Sequence, residues 1–289
     1  MKKFSLIFVI IGLVIAIVLV GLYIHSSSDK ARRNQDVLLK RISAVPDIAA
    51  EKQLLLFCQF PSNDNAGMIN EVVFTIDDGP YRNINGSTTE HTEIILDILK
   101  REKTPATFFL LGWQLDTKKV STGVTYQCYC QWVKRMFEEG HTVGIHDYNH
   151  VQYFKQNRSQ LSDSLIYTRT QIKEVSDHDA SSYVRSPGGS ISPEVSAYLK
   201  ENGYKHVFWN INPETQPHLK PSEILNNIFA DLNNGKRGII LMHDRTASAY
   251  LSDLIKYLKE HQIKVISLSE WEAKYGLPDT VMTPHREKF

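Results

Sequence analysis

The chain has no surplus of either charge, since its 33 lysines and arginines stand against 32 aspartates and glutamates. A binder of nucleic acid needs a basic excess to hold phosphates, so that class of partner is not indicated. Cysteine is equally scarce. Cys58, Cys128 and Cys130 are the only three, too few for a disulfide scaffold, and Cys128 and Cys130 are too close in sequence to pair comfortably with each other. A bridge from Cys58 to one of them, or three inert thiols, both stay open. The Cys-Tyr-Cys spacing alone offers too few ligands for zinc. No internal repeat and no low-complexity tract is visible, which leaves out solenoid architectures.

What is present begins with a long uncharged run, Phe4 to Ile24, FSLIFVIIGLVIAIVLVGLYI. At about 1.5 Å per helical residue it spans about 30 Å, the thickness of a bilayer core. Its exit, Tyr23-Ile24-His25, is a poor cleavage site, so residues 1–25 read as a single-pass signal anchor that stays attached. Lysines precede the run and basic residues follow it, so charge does not fix its orientation. Residues 26–67 read as a polar, helix-prone juxtamembrane stalk.

From Glu71 onward the pattern alternates. Strand-like runs are EVVFTI (71–76), ATFFLLG (106–112), HTVGIH (141–146), SYVRS (182–186), KHVFWN (205–210), GIILMH (238–243) and KVISL (264–268). Six amphipathic helical patterns separate them. Such alternation predicts an α/β fold, a distorted (β/α) barrel of about seven parallel strands, with an open doubly wound sheet as the alternative. Asp77, Asp78, His146, Arg185, Asn210 and His243 fall at strand ends, which a parallel barrel gathers at one mouth.

Two neighbouring acids after an apolar strand are costly near a core unless something binds them. His146 and His150 in HDYNH are four apart, close enough to act together on a helical turn or in a tight loop. With a carboxylate they form a donor set suited to zinc, iron or cobalt.

Four segments in order then carry a resemblance to the polysaccharide deacetylases of carbohydrate esterase family four. They are TIDDGP, GHTVGIHDYNH, VRSPGG and IILMHD, and the similarity covers about residues 68 to 275. The resemblance implies a metal-dependent de-N-acetylase acting on a polymer of GlcNAc type, with peptidoglycan first and chitin-like polymers or exopolysaccharide open. It implies Asp78, His146 and His150 as ligands of one divalent metal, zinc first, with cobalt or another transition metal open. Asp77 would be the general base, Arg185 its holder and His243 the general acid. Gly188 would supply an oxyanion N–H and Leu241 would line the acetyl pocket. Trp209 is weighed between barrel packing and a substrate contact. Asp147 and Asp244 read as capping or turn residues, and His141, His206 and His218 as structural or exposed.

The chain departs from the family pattern after the fifth strand, where FWNINPETQP lacks the aspartate that tunes the acid. Thr215 falls at about that place and Glu214 one position away, so both are candidates for tuning His243. The third segment has Gly188 where many members carry tyrosine. The expected organisation is an anchor (1–25), a stalk (26–67), a catalytic domain outside the cytoplasm (68–275) and a tail (276–289), with the oligomeric state open. Two rival readings are an inactive sugar-binding protein of the same fold and an all-helical phosphohydrolase of the His-Asp type.

Overall fold

The computed structural model describes residues 69–277 except 82–89, 121–122, 215 and 217. The expected anchor, the stalk, Cys58 and Thr215 lie outside the described residues. Among those described, no helix is long and apolar enough to cross a membrane.

Seven strands alternate with helices along the described chain. They are β1 (Glu71–Gly79), β2 (Thr107–Leu110), β3 (Thr142–Ile145), β4 (Tyr183–Val184), β5 (Lys205–His206), β6 (Gly238–His243) and β7 (Lys264–Val265). The helices are α1 (His91–Glu102), α2 (Val124–Glu138), α3 (Arg158–Ser176), α4 (Pro193–Glu201), α5 (Pro221–Asn233), α6 (Asp244–Ala247), α7 (Leu251–Glu260) and α8 (Leu268–Tyr275). This arrangement is incompatible with the all-helical phosphohydrolase.

Every strand pair is parallel, in the order β5-β4-β3-β2-β1-β6. The segment after β5 then crosses to β6, where Ile211 bridges Ile240. The sheet therefore curls until its first strand and its last share one connecting segment. The expected seven-strand ring needs correcting in one respect, because β7 pairs only with the start of β1, at Glu71 and Val72, and stands off the ring. Strands β4, β5 and β7 are two residues long, so the barrel is irregular on that side.

Period-two alternation divides β1 between two layers. Val72, Phe74 and Ile76 join the large apolar layer beneath the helices, whereas Val73 joins a smaller cluster with Phe109, Tyr183, Val207 and Ile239 inside the curled sheet. Thr75 and Asp77 follow Val73 on the inner side. Because Thr75 lies opposite Leu241 and Asp77 opposite His243, these four side chains share the inner face. Helix starts follow local chemistry. Asn157 and Gln160 form a capping box at α3, while Ser192 caps α4 just before Pro193. In α7, Leu251, Leu254, Ile255 and Leu258 make the buried stripe.

Candidate metal centre and acid–base site

At the end of β1 the register with β2 slips between Asp77 and Gly79, leaving Asp78 as an extra residue at φ 69°. Successive strand side chains ordinarily point to opposite faces, and this bulge turns Asp78 back toward the side of Asp77. The reorientation thus falls at Asp78, one residue ahead of the glycine. Gly79 serves close approach instead, since a Cβ there would lie 2.5 Å from Asp244 Oδ2.

HDYNH is a tight loop and not a helical turn. Asp147 organises it. Its Oδ2 accepts the N–H groups of Asn149 and Val151 at 2.8 Å each, and its Oδ1 accepts from Gln156 Nε2 at 2.8 Å and from the Ser164 hydroxyl. With Asp147 at φ 98° and His150 at φ 62°, the chain doubles back so that both imidazoles meet. His146 is buried, and its Nδ1 lies 2.9 Å from the Arg185 carbonyl oxygen. A carbonyl only accepts, so Nδ1 carries the proton and Nε2 is left with its lone pair.

His146 Nε2 and His150 Nε2 lie 3.5 Å and 3.2 Å from Asp78 Oδ1. Ligand atoms of Asp78, His146 and His150 all fall within 4.8 Å of one another. Asp78 Oδ1 is buried and accepts no aligned hydrogen bond. Burial pushes the Asp78 carboxyl up, but the two histidines outweigh it and hold the group well below the usual carboxylate range. Asp78 in turn raises His150. Two imidazole nitrogens and one orphaned carboxylate oxygen are a donor set that fits a divalent transition metal.

Asp77 is separated from that set by its own partner. Its Oδ1 accepts from Arg185 Nη1 at 2.8 Å, while Oδ2 faces His146 Nε2 at 3.7 Å. Arg185 is fully buried and also donates to Thr75 Oγ1 and to the Val207 and Phe208 carbonyls. Its guanidinium lies over the rings of Phe109 and Trp209, at 4.4 Å and 5.5 Å. Trp209 is therefore part of the barrel packing, and Gly189 lies flush against it.

On the other side, His243 ends β6 opposite Asp77. Glu214 Oε1 stands 3.0 Å from His243 Nδ1, an ion-pair distance without hydrogen-bond alignment, and accepts from Thr246 Oγ1 at 2.9 Å. Burial raises the Glu214 carboxyl, yet contact with His243 lowers it overall. Leu241 is buried two residues before His243 on the same face, and Gly188 takes φ 67° in the turn after Arg185. Asn210 does not reach this mouth. Because Ile211 registers with Ile240, Asn210 sits near the opposite end of β6 and its Oδ1 accepts from Ile239 N at 2.8 Å.

A family model described as polysaccharide deacetylase matches residues 65–207, a stretch holding Asp77, Asp78, His146, His150 and Arg185. The chain belongs to the polysaccharide deacetylase family. It is 26% identical to the Listeria monocytogenes peptidoglycan-N-acetylglucosamine deacetylase PgdA over 212 residues, 73% of this chain and 40% of that protein. It is 28% identical to a Bacillus subtilis peptidoglycan-N-acetylmuramic acid deacetylase, PdaC, over 203 residues, 70% of this chain and 38% of that one. The chain thus spans about two fifths of the length of these relatives. A crystal structure of a peptidoglycan N-acetylglucosamine deacetylase superposes with a TM-score of 0.57 at 26% identity, covering 70% of this chain and 88% of that one.

Against the family pattern, three contributors to the site went unread in the sequence. Thr75 supports Arg185, Thr246 supports Glu214, and Arg245 Nη1 donates to Asp78 Oδ2 at 2.6 Å. Arg245 and Thr246 directly follow IILMHD, which was the available signal. Asp244, just before them, is fully buried, takes both contacts of Thr92 Oγ1, and is pushed up to about 8 by burial and by the nearby Asp78 charge.

Proposed function

We propose that this chain is a metal-dependent de-N-acetylase of a GlcNAc-type polysaccharide, with peptidoglycan the first substrate. The observation that carries the reading is the division of labour between adjacent acids. Asp78 faces two imidazoles, and Asp77 is held beside them by a buried arginine. The names of the relatives support the substrate class.

A divalent cation held by Asp78, His146 and His150, zinc first, would polarise the acetyl carbonyl and acidify a water there. Asp77 then has one free oxygen, Oδ2, directed at the site, and takes the proton of the attacking water. Arg185 keeps Oδ1 engaged, which fixes the carboxylate's orientation. The Gly188 N–H stabilises the developing oxyanion. Leu241 excludes water around the acetyl methyl, with Trp209 behind Arg185 completing that wall. His243 hands a proton to the leaving nitrogen, which is too basic to depart unprotonated. Glu214 takes the place of the family's tuning aspartate from one position earlier, reaching His243 at Nδ1.

The apolar run Phe4 to Ile24 supports a further part of the reading, a single-pass anchor that holds the domain to a membrane on the extracytoplasmic side. Full-length protein should sediment with membranes and resist extraction by high salt.

The deciding experiment is acetate release from N-acetylated glycans, peptidoglycan and chitin oligomers in parallel, by zinc-loaded full-length protein. Release that Asp77→Asn abolishes is expected. Binding of either glycan without any acetate would leave a sugar-binding protein and overturn the reading.

A further inference from the structure

The metal-ligand reading of Asp78 accounts for only one of its oxygens. A carboxylate turns freely about its last bond, so it can offer a cation one oxygen, the other, or both. The bulge at Asp78 fixes where the side chain starts but not which oxygen faces His146 and His150. The contact that selects between them comes from the far side of the site. Arg245, on the short helix α6, donates Nη1 to Asp78 Oδ2 at 2.6 Å, a short charge-assisted bond.

We propose that Arg245 is a positioning residue for the metal centre: by engaging Asp78 Oδ2 it turns Oδ1 toward the two imidazole nitrogens and confines the carboxylate to one-oxygen ligation. The proposal rests on the metal-site reading above. Two effects of the guanidinium oppose each other. Its positive charge repels a cation, whereas its hydrogen bond pre-sets the ligand. Arg245 is 48% exposed while Asp78 is 15% exposed, so solvent screens the charge more than it weakens the bond. Orientation therefore prevails, and losing such an outer partner typically costs about 10- to 100-fold in metal affinity.

The placement is not isolated. Thr246, the next residue, holds Glu214 beside His243, and Asp244, the one before, packs on Gly79 next to Asp78. One short helix thus touches both the ligand half and the acid half of the site.

The test is zinc affinity of the chelator-stripped full-length protein, titrated against a chromophoric competitor. Arg245→Gln should bind zinc about tenfold or more weakly than wild type. Arg245→Lys keeps the charge and one donor, and since the observed contact uses a single N–H it should recover part of that loss. Melting of both variants in chelator should match wild type, because a half-exposed side chain covers no core. Equal zinc affinity in all three proteins, tighter binding by Arg245→Gln, or a chelated melting point well below wild type would each overturn the positioning role. His150→Ala serves as the reference. If it loses zinc while Arg245→Gln does not, only the role of Arg245 fails; if it keeps zinc at full affinity, the metal-site reading fails and the positioning role with it.

Discussion

Arg185 Nη1 lies 2.8 Å from Asp77 Oδ1, and both side chains are almost wholly shut off from water. Burying either ion alone would cost several kcal/mol, so each is the condition for the other. Burial draws the guanidinium below its usual value and Asp77 opposes that drift. Because Arg185 also binds two carbonyls and Thr75, it is a fold residue as much as a holder of the proposed base.

Arg185→Met should therefore lose about 3–5 kcal/mol of stability, leaving a buried carboxylate without a partner. Urea unfolding of the chelated protein measures it, and a loss below about 1 kcal/mol would show that Asp77 finds another counter-charge. Asp77→Asn should behave differently. The amide keeps the shape but cannot accept water's proton, so zinc should stay bound while turnover falls by about 100-fold or more. A near wild-type rate in that variant would assign the base to another residue.

His146→Ala and His150→Ala should each lose zinc at neutral pH, since two ligands do not hold a site built for three. The losses should differ in their effect on the fold. His146 is buried and donates to the Arg185 carbonyl, so its removal should also lower the melting point, whereas His150 is half-exposed and should be silent there. Elemental analysis paired with melting in chelator checks both halves.

Most of the architecture was legible because apolar periodicity reports directly on layers. All seven strands and all six expected helices are present, and His146, Arg185 and His243 sit where parallel strands deliver them. Reading failed where position depends on register. Asn210 ends a strand-like run yet lies at the wrong end of β6, because the chain after β5 pairs one ring-width further on. Asp78 reaches the site through a bulge, and no residue pattern in TIDDGP announces a positive φ. Arg245 and Thr246 were missed for another reason. Their partners, Asp78 and Glu214, are distant in sequence and are brought within reach by the pairing of β1 with β6 and by the Ile211–Ile240 bridge.

His206 gives a pH prediction away from the chemistry. Its Nε2 accepts the Ser186 N–H at 3.0 Å, and burial, aided by the charge of Arg185, pushes its value from 6.5 down to about 3. Folded protein keeps the ring neutral, while the unfolded chain takes up a proton below pH 6.5. Unfolding then binds protons, so stability rises with pH across that window and is lost as pH falls through it, by up to about 1.4 kcal/mol per unit. His206→Gln retains an acceptor for Ser186 but cannot titrate. Its stability, measured by urea unfolding in chelator, should fall less steeply than wild type between pH 6.5 and 4.5. Identical slopes would mean that the ring is already charged in the fold.

On the proposed reading, Glu214 tunes the acid His243 in place of the family's aspartate. Pro213 fixes the backbone just before it, and the loop brings Glu214 Oε1 to 3.0 Å from His243 Nδ1. A general acid must enter the reaction protonated, and a neighbouring carboxylate favours the charged imidazole. Glu214 is held in place by Thr246 and is mostly buried, so its charge acts at short range with little screening. Removing that charge in Glu214→Gln should move the basic limb of the kcat/KM profile down by about one pH unit, equivalent to about 1.4 kcal/mol of lost stabilisation. The acidic limb, governed by the base and its ligand neighbours, should stay where it is. Thr246→Val offers a milder version, since Glu214 keeps its charge but loses its tether, and a smaller shift in the same direction should follow. A basic limb that does not move in Glu214→Gln would make the carboxylate a bystander and leave His243 to function without a tuning partner.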